Sequence, residues 1–502
     1  MVKHLLAFFI IASLVGSCVP GTATPTLSLT ATVLPMITPS PAPSVTPTIT
    51  PYPTLQTQGP YLLFTRDNKN LTIMNADGSG RKQIQLPNDG YITQLNKAVS
   101  PDGKWLAYFT GSVKEPYDIT LNLLNLSEET TQQISKLLAS GFPANLEPIL
   151  ETMVLGDPPH YDENCFENIE CRRTLVEREL ANSLFSFDWS ADSQSVAFIA
   201  QIDNPSSDIY LYNIRKNAIR QLTNEMQNIY WLDWAPNGTR ILYEISSTPG
   251  LGYEGRTLHI TDLGGKTTFV NADSLYNQRW GEYDWLTENL YLFHHPNDTD
   301  KPPIYDLMIV DTDTGQFKEV WPYSLETFAI NENNNTIVLI HKNHKTQLPT
   351  VPEGIYIVYP SGTYQKISDV GIQLLLRQGQ NPYSILSQDY NGQIYSIDND
   401  GSIDLLPWAT DRIPWISPDG KMLFFEENSK LALYTASYQP IQTWSIEATG
   451  ITWRPDSQGV FILADRDLYY LSIPRGNPVL VNSDPKENCT VQYCYTQYTW
   501  LP

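Results

Sequence analysis

VSPDGKWLAYF, residues 99–109, decides the fold, because the same phrase keeps returning along the chain. It reappears as WSADSQSVAFI at Trp189, WAPNGTRILYE at Trp234, WLTENLYLF at Trp285, INENNNTIVLI at Ile330, ISPDGKMLFFE at Ile416 and WRPDSQGVFIL at Trp453, with a weaker copy from Leu376. Each copy reads as a strand ending in a large apolar residue, a tight turn and a second strand. Pro presets φ for the first corner of such a turn, and Gly supplies the positive φ that a side chain would disfavour. Successive starts differ by 90, 45, 51, 45, 46, 40 and 37 residues, so apart from the first gap the period is that of propeller blades. A third strand and another hairpin follow each phrase, as in LTIMNADGSGRKQI from Leu71, DIYLYNIRKNAIRQL from Asp208, DLMIVDTDTGQFKEV from Asp306 and QIYSIDNDGSIDLL from Gln393.

Each unit is therefore expected to be four antiparallel strands, a sheet that buries neither face alone and must stack on its neighbours. The ends of the chain supply a closure. Trp500-Leu501-Pro502 is the opening of the phrase cut off at its turn, and Tyr61-Leu62-Leu63-Phe64 is a second strand without a first. Joined, they complete one blade from both termini and leave no open edge. The expectation is an all-β chain forming a single β-propeller of eight or nine blades, according to whether the Leu376 copy is irregular or a full unit.

At Ser100–Lys104 and Ser417–Lys421 the phrase S-P-D-G-K resembles the WD40-like repeat of the TolB family, and the degraded copies extend that resemblance over about 440 residues. The resemblance implies a β-propeller. The α/β domain that precedes the propeller in that family is replaced here by a different N-terminal segment. Propeller peptidases with the same repeat type add a C-terminal hydrolase domain. The sequence has no G-x-S-x-G and ends at Pro502, so that activity is not carried over.

Composition fits a large folded body with one unusual end. The 502 residues are 41% hydrophobic, with 12 Trp and 29 Tyr, which is ample material for a core. Acidic residues outnumber basic ones by 54 to 32, a formal charge of −22. That balance excludes counterion-driven nucleic-acid binding and attraction to anionic lipid.

The first 60 residues read as export signal and tether. Lys3 opens a short positive start, Leu5 to Gly16 is an apolar run of twelve residues, and Val15-Gly16-Ser17-Cys18 closes it with small residues before a cysteine. Twelve residues fall short of the roughly 20 needed to cross a bilayer as a helix, so residues 1–17 read as a cleaved signal peptide. The pattern resembles the bacterial lipobox, and the resemblance implies that Cys18 carries the lipid and that the mature protein faces outside the cytoplasm. From Pro20 to Pro60 there are ten Pro and eleven Thr, and Gly21 to Pro60 contains no charged residue. Residues 18–60 thus read as a disordered stalk biased toward polyproline II, of up to roughly 120 Å at about 3.1 Å per residue.

Residues 61–502 are the propeller, interrupted by an insertion at about 136–180 where the first period doubles. Leu175, Val176, Leu180 and Leu184 fall at helical spacing, as do the apolar residues of 148–153, so the insertion is expected to be partly helical. Besides Cys18 there are Cys165, Cys171, Cys489 and Cys494. An even number outside the cytoplasm implies disulfides. Of the three connectivities, spacing alone favours the local pairs, Cys165 with Cys171 and Cys489 with Cys494.

Three successive phrases carry Asp188-Trp189, Asp233-Trp234 and Asp284-Trp285, placing a carboxylate at the same point of three channel-side strands. Like charges gathered in a partly desolvated channel raise one another's pKa or bind a cation. An acid near a strand end often just accepts backbone N–H bonds. Asp398-Asn399-Asp400-Gly401 hints at a calcium loop and Gly265-Lys266-Thr267 at a phosphate loop, but both sit where hairpins are expected. His294-His295 with Asp298 and Asp300 lies in a blade loop with nothing to set ligand spacing. The functional expectation is a lipid-anchored, extracytoplasmic, monomeric binding or scaffold module for a protein or cell-envelope polymer, with no cofactor, no metal, no nucleic acid and no catalysis. The rival is an enzyme at the channel mouth acting on a glycan or similar polymer through Asp188, Asp233 and Asp284.

Overall fold

A computed structural model of the chain describes residue 55 and residues 59–502, apart from 141–167, 247–255, 271–283, 298–303, 332–334, 343–350, 378–384, 410–413, 483–496 and a few single or paired positions. Residues 1–54, with Cys18 and most of the expected stalk, lie outside this set.

The described strands form nine antiparallel sheets that follow one another along the chain as blades 1 to 9. Eight have four strands. The weak copy from Leu376 falls in a complete blade whose first strand is Ile372–Arg377, so the count is nine. Blade 2 departs from the expected four strands. It keeps Trp105–Thr110, Thr120–Asn125 and Thr131–Lys136, but the segment ahead of its turn coils into a helical turn, Leu95–Ala98. Two isolated antiparallel bridges, Val99 to Leu106 and Tyr91 to Phe109, lie where a first strand would run. Leu95 and Ala98 are buried in that turn, so the missing strand is replaced by packed apolar side chains.

Ring order is visible in the core. In a strand, successive side chains point to opposite faces, and each blade uses its two faces against two neighbours. Leu63, Leu71 and Ile73 of blade 1 pack with residues of blades 2 and 3, while Leu62, Phe64 and Met74 of the same strands pack on Phe461, Leu468 and Tyr470 of blade 9. Further clusters join blades 3 and 4, 4 and 5, 5 and 6, 6 and 7, 7 and 8, and 8 and 9. The last blade thus packs on the first. The chain's end completes blade 1: Gln497–Leu501 pairs with Tyr61–Thr65, with Leu501 opposite Tyr61 and Gln497 opposite Thr65.

The recurring phrase has a local chemical reason. In blade 2 the Ser100 hydroxyl donates to Asp102 Oδ1 at 2.7 Å and accepts the Trp105 N–H at 3.0 Å. Asp102 Oδ1 also accepts the Lys104 N–H, and Gly103 turns the corner at φ 68° while its N–H donates to Ser100 O. Ser417, Asp419, Gly420 and Met422 repeat this set in blade 8. The turn also ties blades together. The Asp102 N–H donates to Ser193 Oγ of blade 3 at 3.0 Å, and the Asp419 N–H to Ser457 Oγ of blade 9 at 3.1 Å.

Because the strands alternate in direction, the hairpins after the first and third strands of each blade lie on one face of the ring. Those after the second strand, and the connectors between blades, lie on the other. On the first face no gap between strands exceeds seven residues. On the second, 50 residues separate Lys136 from Phe187, 12 separate His341 from Gly354, and 14 separate both Phe269 from Asp284 and Asn482 from Gln497. The 50-residue connector ends in the helix Ile169–Leu184, capped by Asn168, whose side chain accepts the Glu170 N–H at 3.0 Å. Leu175 and Leu184 are buried and Leu180 packs on the core. The helix bridges blades, with Tyr117 of blade 2 donating to Glu177 at 2.8 Å and Ser183 donating to the Ile229 carbonyl of blade 4 at 2.5 Å. The expected helical stretch at 148–153 lies outside the described residues.

Candidate functional site

Asp188, Asp233 and Asp284 occupy the first strands of blades 3, 4 and 5, paired with Ala197, Leu242 and Leu292 of the respective second strands. Asp188 and Asp233 each pair with the residue nine positions on (197−188 and 242−233), whereas Asp284 pairs with the residue eight positions on (292−284), so the blade 5 connection is one residue shorter. The side chain of Asp284 lies outside what is described. Those of Asp188 and Asp233 come together across the seam between blades 3 and 4, within hydrogen-bond reach of each other.

Each carboxyl group also binds the blade that follows its own. Asp188 Oδ2 accepts the Trp234 N–H at 2.7 Å, and its Oδ1 accepts its neighbour Trp189's N–H at 2.8 Å. Asp233 Oδ2 accepts the indole N–H of Trp285, in blade 5, at 3.1 Å. The sequence signal "Asp-Trp in three blades" therefore has a structural content that strand periodicity alone could not supply: the acid of one blade is the acceptor for the backbone or indole of the next. Trp453 makes a related connection elsewhere in the ring, its indole N–H reaching the Trp415 carbonyl of the preceding blade at 3.4 Å.

The electrostatics follow from this packing. Burial raises the pKa of Asp188, opposed by the Trp234 and Trp189 N–H bonds, by the Asp233 carboxyl and by the Lys97 charge. Burial raises Asp233 further, and the charge of Asp188 adds to it. Lys97 opposes the rise in both. It stands on the helical turn that replaces the first strand of blade 2, so the irregular blade supplies the cation. No motif in the sequence pointed to Lys97.

The other candidates separate. Asp400 Oδ1 accepts the N–H of Ser402, and Gly401 turns the chain at φ 86°, so the calcium-like run is a hairpin. Gly265 does the same at φ 85° within the hairpin closed by the Asp262 N–H to Lys266 O. The backbone of His294 and His295 lies in the strand Leu290–Asn297, while Asp298 and Asp300 are outside the described residues. No group of three or more metal-ligating side chains occurs among the described residues. Cys171, in the first turn of the helix Ile169–Leu184, is disulfide-bonded. Cys165, Cys489 and Cys494 lie outside the described residues.

No family model matches the chain, and no curated protein matches it. Solved structures of similar fold include an oligogalacturonate lyase in complex with manganese, 11% identical over 84% of this chain and 98% of its own, with a TM-score of 0.35. A eukaryotic initiation factor is 11% identical over 89% of this chain and 99% of its own, with a TM-score of 0.48. TolB from Acinetobacter baumannii is 13% identical over 76% and 78%, with a TM-score of 0.28. The propeller architecture rests on the strand pairing and inter-blade packing described above.

Proposed function

We propose that this chain is a lipid-anchored β-propeller outside the cytoplasm that binds another protein or a cell-envelope polymer through one face of its ring and carries out no chemistry on it. The observation that carries the reading is the difference between the two faces: one built of tight turns, the other of connectors that vary from a few residues to 50. Long connectors on a rigid scaffold are where recognition is built. Tyr61 begins the second strand of blade 1, so the described chain enters the ring on the face of the short hairpins, beside Pro502 and the Gly103 turn.

The rival enzyme reading depends on Asp188 and Asp233 being available to a substrate, and both are engaged in bonds that hold blades 3, 4 and 5 together. The two readings separate in one experiment, in which the full chain and Asp188→Asn are incubated with cell-envelope glycan and with detergent-solubilised envelope proteins. Saturable binding without release of soluble fragments supports the proposal. Fragment release by the wild-type chain that disappears in the folded variant overturns it.

A further inference from the structure

Asp188 and Asp233, acids of different blades, meet at hydrogen-bond range. Ionised carboxylates are acceptors only, so two of them in contact require a proton between them. The surrounding donors decide which group carries it. Asp188 already accepts two backbone N–H groups, Trp189 at 2.8 Å and Trp234 at 2.7 Å, an environment that suits the anion. Among the described residues, the donor to Asp233 is the Trp285 indole, on Oδ2. That leaves its other oxygen to carry the proton and donate it to Asp188. We infer that Asp188 and Asp233 form a proton-dependent clasp across the inner edge of blades 3, 4 and 5, closed while Asp233 is protonated and loosened when it ionises.

Protonated, Asp233 is a through-link: it donates to blade 3 through Asp188 and accepts from blade 5 through Trp285. Ionised, it keeps the Trp285 bond but turns its link to Asp188 into repulsion between two poorly solvated charges. Among the described residues, the charge of Lys97 acts on both groups and offsets part of that repulsion; the Asp284 side chain lies outside the described residues. The direction of the burial effects agrees, since Asp233 is raised well above the ordinary aspartate value. A carboxyl that binds its proton more tightly in the fold than in the unfolded chain adds stability below its folded titration point and loses it as pH rises through that point. The turn acids have the opposite sign. Burial would raise Asp102 and Asp419, but hydrogen bonds from Ser100 and Ser417 hold both below the ordinary value. Their stabilisation is lost only as pH falls below that of an ordinary aspartate.

The test uses the full chain as wild type, Asp233→Asn and Asp188→Asn, unfolded thermally from pH 5 to 9 at fixed ionic strength. Asn at 233 reproduces the protonated form: its Nδ2 donates to Asp188, its Oδ1 accepts from Trp285, and it has no proton to lose. The midpoint of Asp233→Asn relative to wild type is expected to rise steadily with pH. A difference independent of pH overturns the proposal, because a merely structural role would shift all pH values alike. Asp188→Asn puts an amide N–H against a backbone N–H and is expected to lower the midpoint throughout; an unchanged midpoint counts against the clasp. Should Asp233→Asn fail to fold, infrared spectra of Asp398→Asn, which removes another raised carboxyl, decide. A protonated-carboxyl band at about pH 6, where an ordinary Asp of pKa about 3.9 is ionised, supports the clasp, and its absence overturns it.

Discussion

Removing the five residues from Tyr498 onward strips blade 1 of most of its first strand, and the structure sets the size of the effect. Leu501 is 5% exposed and packs with Leu63, Leu71 and Leu106. Loss of a buried Leu side chain costs about 2–5 kcal/mol. Trp500 is only partly buried, but its ring meets Phe461 of blade 9 at 5.8 Å between centroids, so it seals the seam between the last blade and the first. Aromatic pairs of this kind add about 0.5–1.5 kcal/mol beyond their burial. The lost ladder bonds to Tyr61–Phe64 contribute about 1 kcal/mol each. With about four such bonds the sum is on the order of 6–10 kcal/mol, against a typical total of about 5–15. The cut chain, ending at Gln497, also presents an unpaired edge at Tyr61–Thr65, a template for aggregation. Thermal unfolding followed by circular dichroism should place its midpoint about 10 °C or more below that of the intact chain, with precipitation at the transition. Equal midpoints would refute the argument that the terminal strand closes the ring.

Three further outcomes are expected. Leu501→Ala alone should lower stability by about 2–5 kcal/mol, read as a shift in denaturant midpoint with an unchanged slope. Cys18→Ala should move the protein from the membrane to the soluble fraction of fractionated cells, and retention in the membrane would contradict the lipid anchor. Peptide mapping without reductant should find Cys165 joined to Cys171 and Cys489 to Cys494; crossed pairs or four free thiols would overturn the local pairing.

The blades were legible because their turns are local chemistry. Ser100, Asp102 and Gly103 close the hairpin with their own hydrogen bonds, so the five-residue phrase reports a structure that does not depend on distant partners. The closure was legible for a similar reason, since half of a periodic phrase at each end implies the other half. What stayed hidden was long-range or irregular. Nothing before Val99 marked Leu95–Ala98 as a helical turn in place of a strand, because its two buried residues fit either element. Periodicity placed Asp188, Asp233 and Asp284 at one register, yet could not show that Asp188 is bonded to the backbone of Trp234, 46 residues on. Nor could it bring Lys97 near the pair, because that approach depends on how blades 2, 3 and 4 pack. The seam bonds to Ser193 and Ser457 were hidden likewise: each serine looked like a turn residue of its own blade, and its hydroxyl serves the preceding one.

Native-state hydrogen exchange of the intact chain tests the closed ring most directly. The strand Gln497–Leu501 pairs with Tyr61–Thr65 in a five-position register, so its alternate amides are bonded across the ladder, and amides bonded in core strands open only with large free energies. Peptides covering 497–501 should exchange as slowly as those covering 61–65, and both should lose protection together as denaturant is added. Exchange of 497–501 at the rate of an unprotected tail, with 61–65 still protected, would contradict the closure on which the nine-bladed ring depends.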